Sequence, residues 1–320
     1  MSDAAPVPTV PRWLPLAAIG VTLLFWASAF VAIRHLAADF TPGALSLGRL
    51  LVGSLCLGVV ALAQGLPTGE ARPRRADWLP VLAIGVLWFG VYNVALNAGE
   101  RLVDAGTASM LIQVAPVLIA LLAALFLGER FTTTLALGLA LSFGGVALIA
   151  ASSHGSGAPG TSDDASPVLG VALCLLAAVV YAVSVVLQKP LMGRLKAVHV
   201  TWMACTTGAV VCLPFAGDLV RQVGDAPTSS LLWLVYLGVF PTAVAFTTYA
   251  VALRHTSASR LGVTTYLVPP ITIVLGLVFL GEAPPALAYV GGVTALVGVA
   301  VARRVPRPRA SAEVAARPPS

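Results

Sequence analysis

Ten apolar stretches, parted by short polar or Pro/Gly-rich breaks, occupy most of this chain. A helix rises about 1.5 Å per residue against a hydrocarbon core of about 30 Å, so about 20 apolar residues cross a bilayer. By that measure residues 14–33, 42–63, 78–97, 105–127, 133–151, 167–188, 198–217, 229–251, 258–280 and 286–302 are ten predicted membrane-spanning helices. The breaks carry turn chemistry, as at Thr41-Pro42-Gly43 and Pro284-Pro285, or charge, as at Arg72-Pro73-Arg74-Arg75. The first stretch follows Arg12 and is long for the apolar core of a cleaved leader, which predicts a retained first span.

The segment Pro116 to Glu129 aligns without a gap on Pro269 to Glu282, at an interval of 153 residues. Arg101 with Arg254 and Ala105 with Ala258 keep the same interval, and Trp26-Ala27 echoes Tyr181-Ala182 at a slightly different one. The chain therefore reads as two related halves, 14–151 and 167–302, joined by a linker at 152–166 and flanked by tails at 1–13 and 303–320. Five spans per half is an odd number, so the second half enters the bilayer upside down. The expected fold is an all-α polytopic membrane protein of ten transmembrane helices in two inverted five-helix repeats, an architecture associated with alternating access. The pairs Gly144-Gly145 and Gly291-Gly292 are out of step with the interval and are read as close packing of spans 5 and 10.

Composition agrees with the pattern: 58% of residues are hydrophobic, 10% are charged and the mean hydropathy is +0.93, where a soluble domain carries about 25% charged residues. The net charge of +6 does not point to nucleic acid, because the positive residues sit in short connectors and in the tail beyond Arg303. Fifteen of the 19 Lys and Arg residues fall on the side that holds both termini and the loops after spans 2, 4, 6 and 8; Arg34, Arg101 and Arg221 fall on the other. That asymmetry predicts cytoplasmic termini in an inner membrane, with membrane lipids as immediate partners. The linker holds Asp163 and Asp164 without Lys or Arg, and its Gly/Ser content suits a flexible joint. The four cysteines all lie in apolar stretches without metal-ligand spacing, so no metal or cofactor is expected. No Gly-Lys-Ser/Thr phosphate loop, His/Glu metalloprotease phrase or nucleophile–base pattern is present in the sequence.

The phrase Phe25-Trp26-Ala27-Ser28-Ala29-Phe30, Arg49 in span 2 and the Pro-to-Gly-Glu pattern closing spans 4 and 9 together resemble the EamA-like exporters of the drug/metabolite transporter superfamily, over about residues 14–302. The resemblance implies that the first four helices of each half surround a central substrate cavity. It implies that the fifth and tenth helices lie outside as packing or homodimer contacts. It also implies a transport class, covering amino acids, other metabolites and toxic compounds, without naming the cargo.

Arg49 is the one charged residue well inside a predicted span, which makes it a candidate for a substrate anion or, equally, a structural brace. No Asp or Glu falls in the middle of a span, which argues against a carboxylate that exchanges a proton for a lipophilic cation. The candidate cavity set is Trp26, Ser28, Arg49, Trp88, Tyr92, Asn93, Asn97, Ser109, Gln113, Tyr181, Ser184, Gln188, Tyr249, Thr265 and Tyr266, each of which has interhelical packing as its alternative. Pro116, Pro269 and Pro270 are candidate helix breaks or hinges, since proline removes an amide donor. Glu129 and Glu282 are candidates for helix-end capping or gate support. The function expected is a secondary transporter that exports small metabolites or amino-acid-like compounds by alternating access. A polyspecific drug-efflux transporter, a membrane-embedded lipid-processing enzyme and a non-transporting interaction protein stand as alternatives. Inversion places Glu129 and Glu282 on opposite faces of the membrane; accessibility labelling that finds both on one face overturns the repeat.

Overall fold

The computed structural model describes residues 13–65, 72–126, 133–152, 167–255, 261 and 264–302. The predicted tails, nearly all of the 152–166 linker and the stretch containing Glu129 lie outside the described residues. Within them all regular structure is helical: α1 (Trp13–Leu36), α2 (Pro42–Ala63), α3 (Arg75–Ile84), α4 (Tyr92–Gly99), α5 (Ala105–Ile112), α6 (Ala115–Phe126), α7 (Thr133–Ser152), α8 (Pro167–Leu191), α9 (Ala197–Val211), α10 (Ala216–Asp225), α11 (Thr228–Leu237), α12 (Ala245–His255), α13 (Val268–Leu280) and α14 (Ala286–Ala302).

Five helices are long and apolar enough to cross a membrane: Trp13–Leu36, Pro42–Ala63, Arg75–Gly99, Pro167–Leu191 and Thr228–His255. Shorter apolar helices occupy Ala105–Ile119, Ala136–Ile149, Thr265–Leu280 and Ala286–Gly298. The span expected at 198–217 is different in form. Its helix α9 ends at Val211, a 3₁₀ turn covers Leu213–Phe215, and the chain bends by 53° into α10. Pro214 lacks the amide that would continue the ladder, and α10 carries Asp218, Arg221, Gln222 and Asp225, a set too polar to share the crossing. Instead α10 lies over the start of α2, where Gln222 Oε1 accepts the Thr41 amide at 2.9 Å.

Two spans expected to be continuous contain a seven-residue π-helical turn, Gly85–Val91 between α3 and α4 and Gly238–Val244 between α11 and α12. The two turns are separated by the repeat interval of 153 residues. Pro241, inside the second, removes a donor and loosens the ladder. Span 4 is also divided, at Gln113-Val114, and Pro116 lies in the first turn of α6; likewise the 3₁₀ turn Thr265–Leu267 precedes α13, whose first turn holds Pro269 and Pro270. First-turn amides have no partner within the helix, so the three prolines open the second segment of each broken helix at little cost.

Helix contacts come in reciprocal pairs. α1 packs on α12 and α13, and α8 packs on α4 and α6; α2 packs on the second π-turn and α9 on the first. The α2 and α9 helices also pack on each other, where Ser54 and Thr206 share a 2.6 Å hydrogen bond. α7 and α14 form a separate pair whose seam is made of backbone. A Cβ on Gly291 would lie 2.6 Å from the Gly145 carbonyl, and one on Gly298 would lie 2.7 Å from that of Gly138. The facing residues are Gly145 with Gly291 and Gly138 with Gly298, the close packing expected of spans 5 and 10. The adjacent pairs are out of step with the interval as expected, but Gly138 and Gly291, and Gly145 and Gly298, are each 153 apart, and Gly144 takes no part, with nothing within 4 Å of its Cβ direction. Replacing Gly145 with Leu therefore overpacks the seam and is expected to cost about 1–3 kcal/mol or more, whereas Gly144→Leu leaves thermal stability nearly unchanged; melting followed by detergent size-exclusion separates the two.

Candidate functional site

Arg49 sits in the first half of α2 and is only 3% exposed. Its Nε donates to Thr242 Oγ1 at 3.1 Å, and Thr242 in turn donates to the Leu237 carbonyl at 2.9 Å. That carbonyl is five residues back, the spacing of the π-turn, so the widened ladder supplies both the space and the acceptor for the guanidinium. Arg49 has no carboxylate partner among the described residues, and Nε is its one nitrogen with a protein hydrogen bond. A buried cation without a counter-ion is costly.

Arg49 also lines a cavity of about 30 Å³ together with Trp26, Trp88, Tyr92, Gln113, Tyr181, Phe246 and Thr265, with Ile33, Leu96, Ile112 and Val268 among its apolar walls. Trp26 is the hub of the aromatic wall. Its ring centroid lies 4.9 Å from Tyr249, 5.5 Å from Phe246, 6.0 Å from Tyr181 and 6.4 Å from Trp88. The Trp26 indole N–H is buried without an acceptor. Across the cavity, Thr265 Oγ1 donates to Gln113 Oε1 at 3.0 Å and ties the break in span 4 to the 3₁₀ turn of span 9. A guanidinium without a carboxylate and an indole N–H without an acceptor thus border one aromatic pocket, an arrangement suited to a small ligand with an anionic or carbonyl oxygen. A volume of about 30 Å³ holds one or two waters, far below the several hundred Å³ of an occupied small-molecule site. The conformation is closed around its centre.

Seven of the residues selected from sequence line this cavity, and Tyr249 stands behind its wall, hydrogen-bonded to Tyr181 at 3.3 Å. The remainder lie elsewhere. Ser28 bonds Tyr236 at 2.7 Å in a groove of about 540 Å³ between α1, α11 and α13. Asn93 Nδ2 donates to the Phe89 carbonyl at 2.7 Å within the first π-turn, and Asn97 donates to Ser46 Oγ at 2.9 Å, tying α4 to α2. Ser109 and Ser184 donate to carbonyls of their own helices, Gln188 is buried on α8, and Tyr266 is half-buried beside Thr265. Phe246 and Thr242 were not selected: an apolar ring and a threonine carry no signal in an apolar stretch until the fold brings them to Arg49 and Trp26.

A second polar cluster occupies the end of the bundle where α1, α4 and α13 terminate. Gly281, at φ +67°, closes α13 in the left-handed conformation that glycine adopts without strain and turns the chain back. Glu282 is thereby placed on Arg34 of α1, whose Nε donates to its two carboxylate oxygens at 3.0 and 3.2 Å. The Glu282 carboxylate serves Arg34, and α14 begins four residues later. Arg34 Nη1 also donates to the Glu100 carbonyl at 2.9 Å. Glu100, one residue beyond the long helix ending at Gly99, is fully buried, and burial pushes its carboxyl well above the usual range against the pull of Arg34 and Arg49. The sequence has no acid at a span centre, yet here an acid just past a predicted span end is sealed in. Asp104 next to it caps α5 by accepting the Thr107 amide at 2.8 Å.

The family model of the EamA-like transporters matches residues 13–151 and 168–304. A probable terminal-alkyne amino-acid exporter of Streptantibioticus cattleyicolor is 40% identical over 288 residues, covering 90% of this chain and 92% of its own. The uncharacterized transporter YdfC of Bacillus subtilis is 32% identical over 274 residues, 86% of each chain. A crystal structure with 21% identity covers 92% of this chain and 97% of its own at a TM-score of 0.60, which speaks to the fold alone. The sealed aromatic cavity lies within a multi-pass helical membrane protein of the transporter class. The chain belongs to the EamA-like transporter family.

The Arg49–Thr242 contact can be tested apart from any ligand. Thr242→Val strands the guanidinium and is expected to lower stability by about 1–3 kcal/mol, while Arg49→Met in the same background restores most of it, because removing both partners leaves no polar group unpaired. Thermal melting of the three variants in one detergent reads the difference.

Proposed function

We propose that this protein exports small amino-acid-like compounds from the cytoplasm by alternating access, through a bundle of ten transmembrane helices in two inverted five-helix repeats. In this reading the five long helices, α9 and the four shorter apolar helices make the ten crossings, with α10 lying outside them. The π-turns and the seam glycines spaced at 153 residues, with the reciprocal helix contacts, support the repeat. The excess of basic residues on one side supports cytoplasmic termini in the inner membrane.

The observation that carries the cargo class is the guanidinium of Arg49, buried in an aromatic cavity with no protein carboxylate. A substrate carboxylate supplies the missing counter-charge in bidentate geometry, and the Trp26 N–H offers a further donor. The faces of Trp26, Trp88 and Tyr181 take the substrate's apolar side chain and attract its ammonium group. The relative named as a probable terminal-alkyne amino-acid exporter fits this chemistry. Because the closed cavity admits only water, loading requires the reciprocal helix pairs to part on one side at a time.

Counterflow in proteoliposomes with labelled propargylglycine, an amino acid bearing a terminal alkyne, tests the reading. Saturable exchange is expected, with the methyl ester competing at least about tenfold less well, a difference of about 1.4 kcal/mol. Arg49→Gln is expected to abolish that discrimination, and Arg49→Lys to retain part of it, since lysine keeps the charge but loses the fork. Folded protein that exchanges none of a panel of amino acids overturns the proposal.

A further inference from the structure

The cluster at the end of α1, α4 and α13 contains a group that the cavity does not use. Glu100 is fully buried, and neither of its carboxylate oxygens has a hydrogen-bond partner. The charged and titratable groups acting on it are Arg34 of α1, Arg49 of α2, Glu282 after α13 and Asp104 at the start of α5, together with Tyr92 on α4 and Cys174 on α8. Of these, Arg34 hydrogen-bonds the residue, through the Glu100 main-chain carbonyl, while the same guanidinium holds Glu282. One side chain of the first half thus joins α1 and α4 to the end of α13 in the second.

An ionised carboxylate sealed from water without a donor is costly, and a neutral carboxyl far less so. The conformation observed therefore suits a protonated Glu100. When the proton leaves, the carboxylate takes the guanidinium, which already lies against its own carbonyl, from Glu282, and the end of α13 is freed from α1.

The second half isolates the feature. The interval that places Trp26 on Tyr181 places Arg34 on Lys189, and the 153-residue interval places Glu100 on Leu253. Lys189 Nζ donates to the Leu253 carbonyl at 2.8 Å, as Arg34 donates to that of Glu100 at 2.9 Å. The contact from a basic side chain to a helix-end carbonyl is therefore present at both ends of the bundle. The buried acid replaces leucine at one end only.

We propose that Glu100 is a proton-binding site that controls the Arg34–Glu282 latch: the latch is closed when Glu100 carries a proton and released when it does not. Under the orientation given by the proposed function this end faces outward, so Glu100 exchanges its proton with the outer water and the latch follows the external pH.

The test places spin labels at Ala38→Cys and Ala283→Cys, with the four native cysteines replaced by alanine, and measures their separation by pulsed electron paramagnetic resonance in lipid nanodiscs. The series runs from about pH 5 to about pH 9, a range in which an ordinary glutamate, with a pKa of about 4.3, is ionised throughout. A single short distance is expected at the acidic end and a growing longer population at the alkaline end. Glu100→Gln holds the short distance at every pH, whereas Arg34→Gln and Glu282→Gln each show the longer one at every pH. A wild-type distribution that ignores pH, or a pH response that survives in Glu100→Gln, overturns the latch. Propargylglycine flux on the same wild-type protein separates the two proposals: pH-dependent opening without flux upholds the latch and overturns the transport reading, and flux with pH-independent distances does the reverse.

Discussion

A guanidinium buried in an apolar helix bundle without a carboxylate is the constraint around which this molecule is organised. Arg49 cannot shed its charge, and the lipid-facing sides of α2 offer it nothing. The π-turn at Gly238–Val244 answers part of the demand by presenting Thr242, and the aromatic enclosure of Trp26, Trp88, Tyr181 and Phe246 keeps the remaining nitrogens from lipid. A bundle built only for stability would place an apolar residue there, since replacing buried ionic groups by packed hydrophobes is often neutral or favourable. Retention of the charge makes sense if a passing ligand completes it.

The broken helices follow from the same constraint. A continuous α-helix through spans 3, 4, 8 and 9 would leave no acceptor, no widened turn and no shared Gln113–Thr265 contact at the centre. Irregular backbone within a membrane is tolerated only where it lines protein or a cavity, and here the π-turns face α2 and α9 while the divided spans meet across the cavity. These irregularities recur at one interval: the two π-turns stand 153 residues apart, as do the seam glycines.

Much of this was legible from residue order. Apolar length gave an all-helical membrane protein with five long spans, the interval of 153 residues recurs in the two π-turns, and the scarcity of charge singled out Arg49. What escaped was everything that depends on where a backbone departs from the regular helix. The π-turn at Gly85–Val91 contains no proline to announce it, and the end of α9 lies at Val211 because Pro214 acts where apolar composition continues. Glu100 was assigned to a loop because hydropathy counts residues without asking whether neighbouring helices overhang them. Two of the serines lie away from the cavity for the opposite reason: a hydroxyl in an apolar helix can satisfy itself on its own preceding turn, as Ser109 and Ser184 do.

The backbone seam between α7 and α14 has a mechanical consequence. Where side chains interlock, helices slide by exchanging rotamers; where a carbonyl sits within van der Waals reach of a glycine Cα on the opposite strand of the pair, no rotamer exists to exchange. These two helices are therefore welded into one beam, which can shift against the rest of the bundle only as a unit.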